Sequence, residues 1–274
     1  MRIAFQGIEG SYSHGAVCAH YPQATPVPQP SFSHSVRAVL SGDVDAALLP
    51  FENLLAGRVS GLHDLLGSMD KLFIHHEHYI TIDHCLVGLG ETVKQVETVY
   101  SHPQALAQCR QYLEAHNLKP VSFSDTAAAA EYVAQQGDPT LGAISSSIAA
   151  RLFKLNVLAK GIANQDQNMT RFLLWRTTKP APLSPEVEAV TSVYFSLKHR
   201  VNALYEVLTV LAEAGLNLLK IESYVAPGSF NDASFYLEIA ANTANPVHRV
   251  ALEKAAALCH NFIDFGCYPK ERSL

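Results

Sequence analysis

The segment "NQDQNMTRFLLW" (164–175) puts an amide, a hydroxyl and a guanidinium, those of Asn168, Thr170 and Arg171, at the entrance of an apolar run. It holds no His, Cys or Lys that could serve as base or nucleophile. Such groups hold and polarise rather than attack. The planar fork of Arg171 suits a carboxylate, and Thr170 can donate one hydrogen bond. The structural alternative is an internal Arg–Asp pair, with Asp166 as the nearby acid.

Three further stretches gather donors at the ends of expected strands. In "GIEGSY", Ser11 and Ser13 open a helix, where backbone N–H groups and hydroxyls can cradle a carboxylate. The glycines there fit neither a dinucleotide nor a P-loop pattern, and a tight turn is the plainer reading. "LLPFENLLAGRV" places Glu52 and Asn53 directly after a strand, although a capped turn would use the same residues. "YSHPQALAQC" brings Ser101 and Gln104 to another strand end, with Pro103 suited to the first turn of a helix. In "HHEHYITIDH", His76 and His78 would share one strand face. No Cys or Asp at fitting spacing completes a ligand set, so neither a metal nor a cofactor is expected.

The order strand, polar turn, helix recurs from "RIAFQG" to "TLGAISSSIAARLF" and predicts an α/β architecture with a largely parallel sheet. Ligands in such folds gather outside the carboxyl ends of strands, where these polar turns lie. A proline-rich linker is expected over 178–189, separating a first domain, 1–177, from a second, 190–274. The second reads strand (190–197), helix (201–214), strands 217–226 and 232–241, helix (246–260) and strand "FIDFGC". That βαββαβ order is ferredoxin-like, with an edge strand left to pair with another copy.

The 274 residues are 48% hydrophobic, enough for substantial cores, and the net charge of −5 without a basic stripe argues against nucleic acid. No run approaches the roughly 20 apolar residues of a membrane span, and the opening is unlike a signal peptide. Five cysteines, widely spaced and odd in number, suit reduced thiols and a cytoplasmic location.

Over nearly its whole length the chain resembles the prephenate dehydratase family. "FQGIEGSYSH" looks like that family's opening, "PFENLLAGRV" like its P-I-E-N-S-x-x-G-x-V segment, "SHPQALAQC" like S-H-P-Q-A-L-x-Q-C, and "NMTRF" like N-x-T-R-F. The region of "LNLLKIES" is similar to an ACT domain, an amino-acid-sensing module. The resemblance implies a two-lobed, type-II periplasmic-binding-like catalytic domain without cofactor, followed by the ACT domain. It implies conversion of prephenate to phenylpyruvate, CO2 and water in phenylalanine biosynthesis, with Thr170 as catalytic donor. Arg171, Asn168, Phe172, Ser11, Ser13, Asn53, Ser101 and Gln104 would surround the substrate. Phenylalanine would be the effector, at Asn202, Ala203, Leu204, Glu222 and Ser223 of a homodimer or tetramer.

The chain departs from the family pattern at several points. Leu54 stands where members carry Ser, and Asn164 where they carry Asp. Asn202 replaces the Gly of Gly-Ala-Leu, and Tyr224-Val225 replaces the Arg-Pro of Glu-Ser-Arg-Pro. Asn202 can adopt the dihedrals of glycine and cap the helix while projecting a side chain into the effector space. Arogenate dehydratase, a non-aromatising prephenate decarboxylase and a non-catalytic sensor are the competing readings.

Overall fold

The computed structural model describes residues 1–165, 167–225 and 233–271, so Asp166, and Ala226 and Asp232 at two expected strand ends, lie outside the described residues. In chain order the elements are β1 (Arg2–Gln6), α1 (Tyr12–His20), β2 (Thr25–Gln29), α2 (Phe32–Leu40), β3 (Ala46–Asn53), β4 (Gly57–Arg58), α3 (Ser60–His63), β5 (Phe73–Thr81) and β6 (Cys85–Gly88). There follow β7 (Thr98–Ser101), α4 (Pro103–Gln108), α5 (Arg110–Ala115), β8 (Lys119–Ser122), α6 (Thr126–Gln136), β9 (Leu141–Ser145), α7 (Ser147–Leu152), β10 (Asn156–Ala159) and β11 (Met169–Arg176). The chain ends with β12 (Ala189–Leu197), α8 (Ala203–Glu213), β13 (Leu218–Val225), β14 (Ala233–Ile239), α9 (Pro246–Ala257) and β15 (Asn261–Pro269).

Two compact units divide these elements. One comprises Met1–Ala38, Leu48–Val59 and Tyr79–Phe172; the other comprises Val39–Ala47, Ser60–His78 and Leu173–Leu274. The elements before β12 build two α/β sheets. One has the order β2-β1-β3-β11-β5 with β4 paired to β3, and the other the order β10-β6-β9-β7-β8. Parallel pairing, expected from the strand–helix alternation, joins β1 to β2 and β7 to both β8 and β9. The second sheet is mixed, because β6 runs antiparallel to β9 and β10.

Side-chain alternation explains how the second sheet is covered. Cys85, Val87 and Ala143 enter one buried cluster with the alanines of α6 and α7, while Leu86 and Ile144 enter another with Leu106, Cys109 and Leu113. Successive residues therefore bury on opposite faces, which requires helices on both sides. The run of alanines in α6 lets that helix lie close to the strands. It starts at Asp125, whose carboxylate accepts from the Ala128 N–H at 2.7 Å, and ends at Gly137 in the left-handed region.

In the second unit, β12, α8, β13, β14, α9 and β15 form an antiparallel sheet of order β13-β14-β12-β15, the ferredoxin-like arrangement expected from the sequence. Val193, Phe195, Leu197, Leu237 and Ile239 pack beneath Val207, Leu211, Leu252 and Ala255 of the two helices. Helix α9 stops at Ala257 rather than at 260, capped by backbone bonds at Leu258. Preceding this sheet, the proline-rich stretch is anchored by the Asn242 amide, which donates to the carbonyls of Ser184 and Val187.

The glycine-rich turn after β1 has a packing role in the first unit. Gly10 sits at φ +88°, and a Cβ there would lie 3.1 Å from the Ala149 Cα in α7. Its carbonyl accepts from the Ser146 hydroxyl at 2.8 Å, while Ser146 Oγ accepts the Ala149 N–H and so caps α7. Gly10→Ala therefore adds left-handed strain to a backbone clash. The expected loss is about 1–3 kcal/mol of stability, read by urea denaturation; an unchanged midpoint would show that the turn tolerates a side chain.

Candidate functional site

The residues of "NMTRF" enter the first sheet at the start of β11, next to β3. Hydrogen bonds from the Leu55 and Ala56 N–H groups to Asn53 Oδ1, at 3.1 and 2.9 Å, turn the Asn53 amide nitrogen the other way. That nitrogen donates to Asn168 Oδ1 at 2.7 Å and Thr170 Oγ1 at 2.9 Å, with the Met169 carbonyl at 3.2 Å. Because two N–H groups face one atom of Asn53, that atom is the oxygen, and the amide orientation follows. The Thr170 oxygen thus accepts from Asn53, and its own proton points to another partner.

Asn168, Thr170 and Arg171 are all buried, at 2%, 8% and 8% exposure. Arg171 stands 3.8 Å from the Glu52 carboxylate, with its guanidinium carbon 6.0 Å from the centre of the Phe51 ring. A guanidinium in this setting is a suitable clamp for an incoming carboxylate. Phe172 is fully buried in the core behind it.

Among the remaining sequence candidates, Ser11 caps α1, its hydroxyl accepting the His14 N–H, and Ser13 is buried in the first turn of that helix. Ser101 is fully buried and donates its hydroxyl to the Ile144 carbonyl at 2.7 Å. Gln104 is exposed in the first turn of α4, beneath the capping His102. The structure therefore gathers Asn53, Asn168, Thr170 and Arg171 directly, while Ser101 and Phe172 face the interior.

Three residues join this cluster without having stood out in the sequence: Tyr12, His84 and Gln108. His84 Nε2 lies 2.8 Å from Gln108 Oε1, its Nδ1 lies 2.9 Å from the Tyr12 hydroxyl, and the Asn168 amide reaches Gln108 at 3.4 Å. Each lies inside a stretch that drew attention for other residues, Tyr12 in "GIEGSY", His84 in "HHEHYITIDH" and Gln108 in "SHPQALAQC", one helical turn beyond Gln104. Burial favours the neutral forms of the phenol, thiols and imidazole here. It pushes the Tyr12 phenol well up, the thiols of Cys85 and Cys109 to about 11 and about 12, and His84 down. Thiolate chemistry is thereby disfavoured, and what the arrangement offers chemically is oriented hydrogen bonds beside the Arg171–Glu52 pair.

In the second unit, Asn202 takes φ 65°, as expected, but its side chain makes no capping bond to α8, contrary to the sequence reading. Ala203 and Leu204 begin that helix and pack on the sheet core. Glu222 pairs with Lys220 at 3.3 Å. Tyr224 reaches His63 Nδ1 with its hydroxyl at 2.5 Å, and His63 is buried. On β5, His78 meets Glu271 at 2.9 Å rather than only its stacked neighbour His76.

His75, His76 and His84 all have pKa values lowered from 6.5, chiefly by burial. The native state refuses protons that the unfolded chain accepts below about 6.5, so stability present above that pH is lost as the pH falls through it. Chemical denaturation at pH 7.5 and 5.5 is expected to show the lower stability at 5.5, with a smaller drop in His84→Asn. An equal drop in that variant would remove His84 from the effect.

A family model described as prephenate dehydratase matches residues 3–180. The chain is 35% identical over 269 residues to a Komagataeibacter europaeus protein named bifunctional N-acyl-homoserine lactone acylase/prephenate dehydratase, covering 97% of this chain and 95% of that one. It is 35% identical to the bifunctional chorismate mutase/prephenate dehydratase of Escherichia coli K12, covering 98% of this chain and 71% of the relative. The solved prephenate dehydratase of Arthrobacter aurescens in complex with L-Phe superposes with a TM-score of 0.90 at 26% identity, covering 100% of this chain and 92% of that one. No helix among the described residues is long and apolar enough to cross a membrane. On the matched model and these likenesses over nearly all of its own length, the chain belongs to the prephenate dehydratase family.

Proposed function

We propose that the chain is a prephenate dehydratase in phenylalanine biosynthesis, with residues 1–177 catalytic, 178–189 a linker and 190–274 an ACT regulatory domain. The observation that carries the catalytic reading is the hydrogen bond from Asn53 to Thr170 Oγ1 beside the buried Arg171. It leaves the threonine proton for a second acceptor and draws electron density from its oxygen, so the O–H becomes a better donor.

The reaction suits such a site. The electron pair of the bond to the ring carboxylate enters the ring as CO2 leaves, and the ring hydroxyl departs with a proton as water. Aromatisation drives both losses, so the protein's task is positioning and stabilisation of the leaving oxygen. Thr170 would donate to that oxygen, and Arg171 would clamp a carboxylate, with Asn168, Ser11, Ser13, Asn53 and Gln104 orienting the rest. Ser101 and Phe172 would support the site from the interior.

A second reading draws on one feature. Leu54 and Leu55 are exposed, at 61% and 39%, on the turn beside Asn53, an apolar surface that would suit an acyl chain such as the Komagataeibacter relative's name implies. Assays on prephenate, arogenate and an N-acyl-homoserine lactone separate the activities. With prephenate, Thr170→Val is expected to lower kcat by roughly 10²–10⁴-fold with little change in KM. A variant that keeps most of its kcat would take Thr170 out of the reaction.

The regulatory reading rests on the ferredoxin-like sheet and on the L-Phe complex of the Arthrobacter relative. Leu219, Ile221 and Val225 are exposed on edge strand β13, which favours a homodimer through that edge. Asn202, Ala203, Leu204, Glu222 and Ser223 would form the effector pocket between subunits. Since Tyr224 is engaged with His63, the side chain of Asn202 becomes the main obstacle to phenylalanine. Asn202→Gly is expected to bind phenylalanine roughly tenfold more tightly by calorimetry, about 1.4 kcal/mol; an unchanged Kd would refute this.

A further inference from the structure

The two helices of the second unit leave an apolar groove on their outer side. Each helix returns along the strand before it, and β12 and β14 are antiparallel, so α8 and α9 run in opposite directions. Val207, Leu211, Leu252 and Ala255 take their inner faces into the core. Between the outer faces lies a groove walled by Val210 and Glu213 of α8 and by Pro246, Val247, Val250 and Lys254 of α9. Positions 247, 250 and 254 follow the helical spacing i, i+3, i+7 and share one stripe. Val247 and Val250 are 59% and 43% exposed on it. A β-branched side chain gains nothing from helix propensity, and an exposed one gains little from burial. Two such valines beside Pro246 on one open stripe suit a surface that is covered in the working protein.

The charges at the two ends of the groove identify the cover. Glu213 closes α8 beside the start of α9, and Lys254 stands about 12 Å along α9 from Pro246 by helical rise. Both side chains are exposed, and neither has an ion-pair partner among the described residues. A partner of one charge sign would satisfy only one end. A groove with an anion at one end, a cation at the other and an apolar middle is instead complementary to itself. A two-fold axis through its centre lays valines on valines and sets Glu213 against Lys254 of the partner subunit, twice. We propose that the α8–α9 groove is a self-pairing surface, through which this chain binds a second copy of itself in an isologous contact, with Val247 and Val250 at its centre and the Glu213–Lys254 pair at both ends. The surface is separate from edge strand β13, and the inference rests on neither the catalytic nor the regulatory reading. Burial of the valines supplies the attraction, while the charges fix the antiparallel register and exclude other partners.

The test is the mass of the full chain in solution, read by sedimentation at micromolar concentration and low salt, where exposed charges act most strongly. Glu213→Lys and Lys254→Glu each set like charges against each other at both ends, and each is expected to bring the mass to about half that of the wild type. The double variant Glu213→Lys/Lys254→Glu restores opposite charges with the sense reversed and is expected to restore the wild-type mass. A monomeric wild type, single variants of unchanged mass, or a double variant that stays at the lower mass overturns the proposal. A second measurement needs no variant and so holds even if these fail to fold. Zero-length carbodiimide cross-linking of the wild type is expected to give a band of doubled mass on a denaturing gel, containing peptides joined through Glu213 and Lys254 that the single-mass band lacks. A doubled band joined through other residues only, or no such band, overturns the pairing and leaves the groove to a partner of different chemistry.

Discussion

The site depends on the orientation of one amide. Asn53 is locked by two backbone N–H groups of the turn that follows it, and that turn is held by the pairing of Glu52 with Arg58 and Asn53 with Gly57. Gly57, at φ +76°, lets the chain reverse there, and the Leu54 N–H ties the turn to the Met169 carbonyl. From this fixed start, the nitrogen of Asn53 can only face Asn168 and Thr170. Were the amide reversed, two backbone donors would oppose an NH2 group and the Thr170 oxygen would face a carbonyl, leaving buried donors unmatched.

Burial sets the electrical character of the same region. A phenol, two thiols and an imidazole lie near it, and desolvation favours the neutral form of each, with Asp83 acting on three of them, Lys160 acting on Cys85, and Arg171 facing Glu52. A neutral network of this kind cannot supply a strong base. It can hold a dipole in one direction at no reorganisation cost, which is the property that the proposed elimination requires.

The second unit uses its family-divergent residues in different ways. Asn202 occupies left-handed dihedrals that glycine would enter freely, and it does so without a capping bond. Tyr224 does not merely fill space beside Glu222 and Ser223. Its hydroxyl bonds to buried His63 and its ring lies near Tyr194, so replacing it would expose a buried imidazole to the loss of its partner.

Much of this was legible from residue order alone. Apolar alternation marked the strands of the ferredoxin-like sheet to within a few residues, because a buried face must recur every second position in a strand. The strand–turn–helix rhythm marked the α/β unit, and the spacing of "NMTRF" and "PFENLLAGRV" marked the two stretches that meet around Thr170. Only the tertiary structure decided how they meet. Asn53 and Thr170 are 117 positions apart, and His63 and Tyr224 are 161 apart. It also decided that Ser101 turns inward to Ile144 and that Gln108, not Gln104, joins the network. Periodicity encodes which face is buried. A hydrogen bond between distant side chains depends on the register of separate strands and on angles good to a fraction of an ångström, and neither leaves a periodic trace in the sequence.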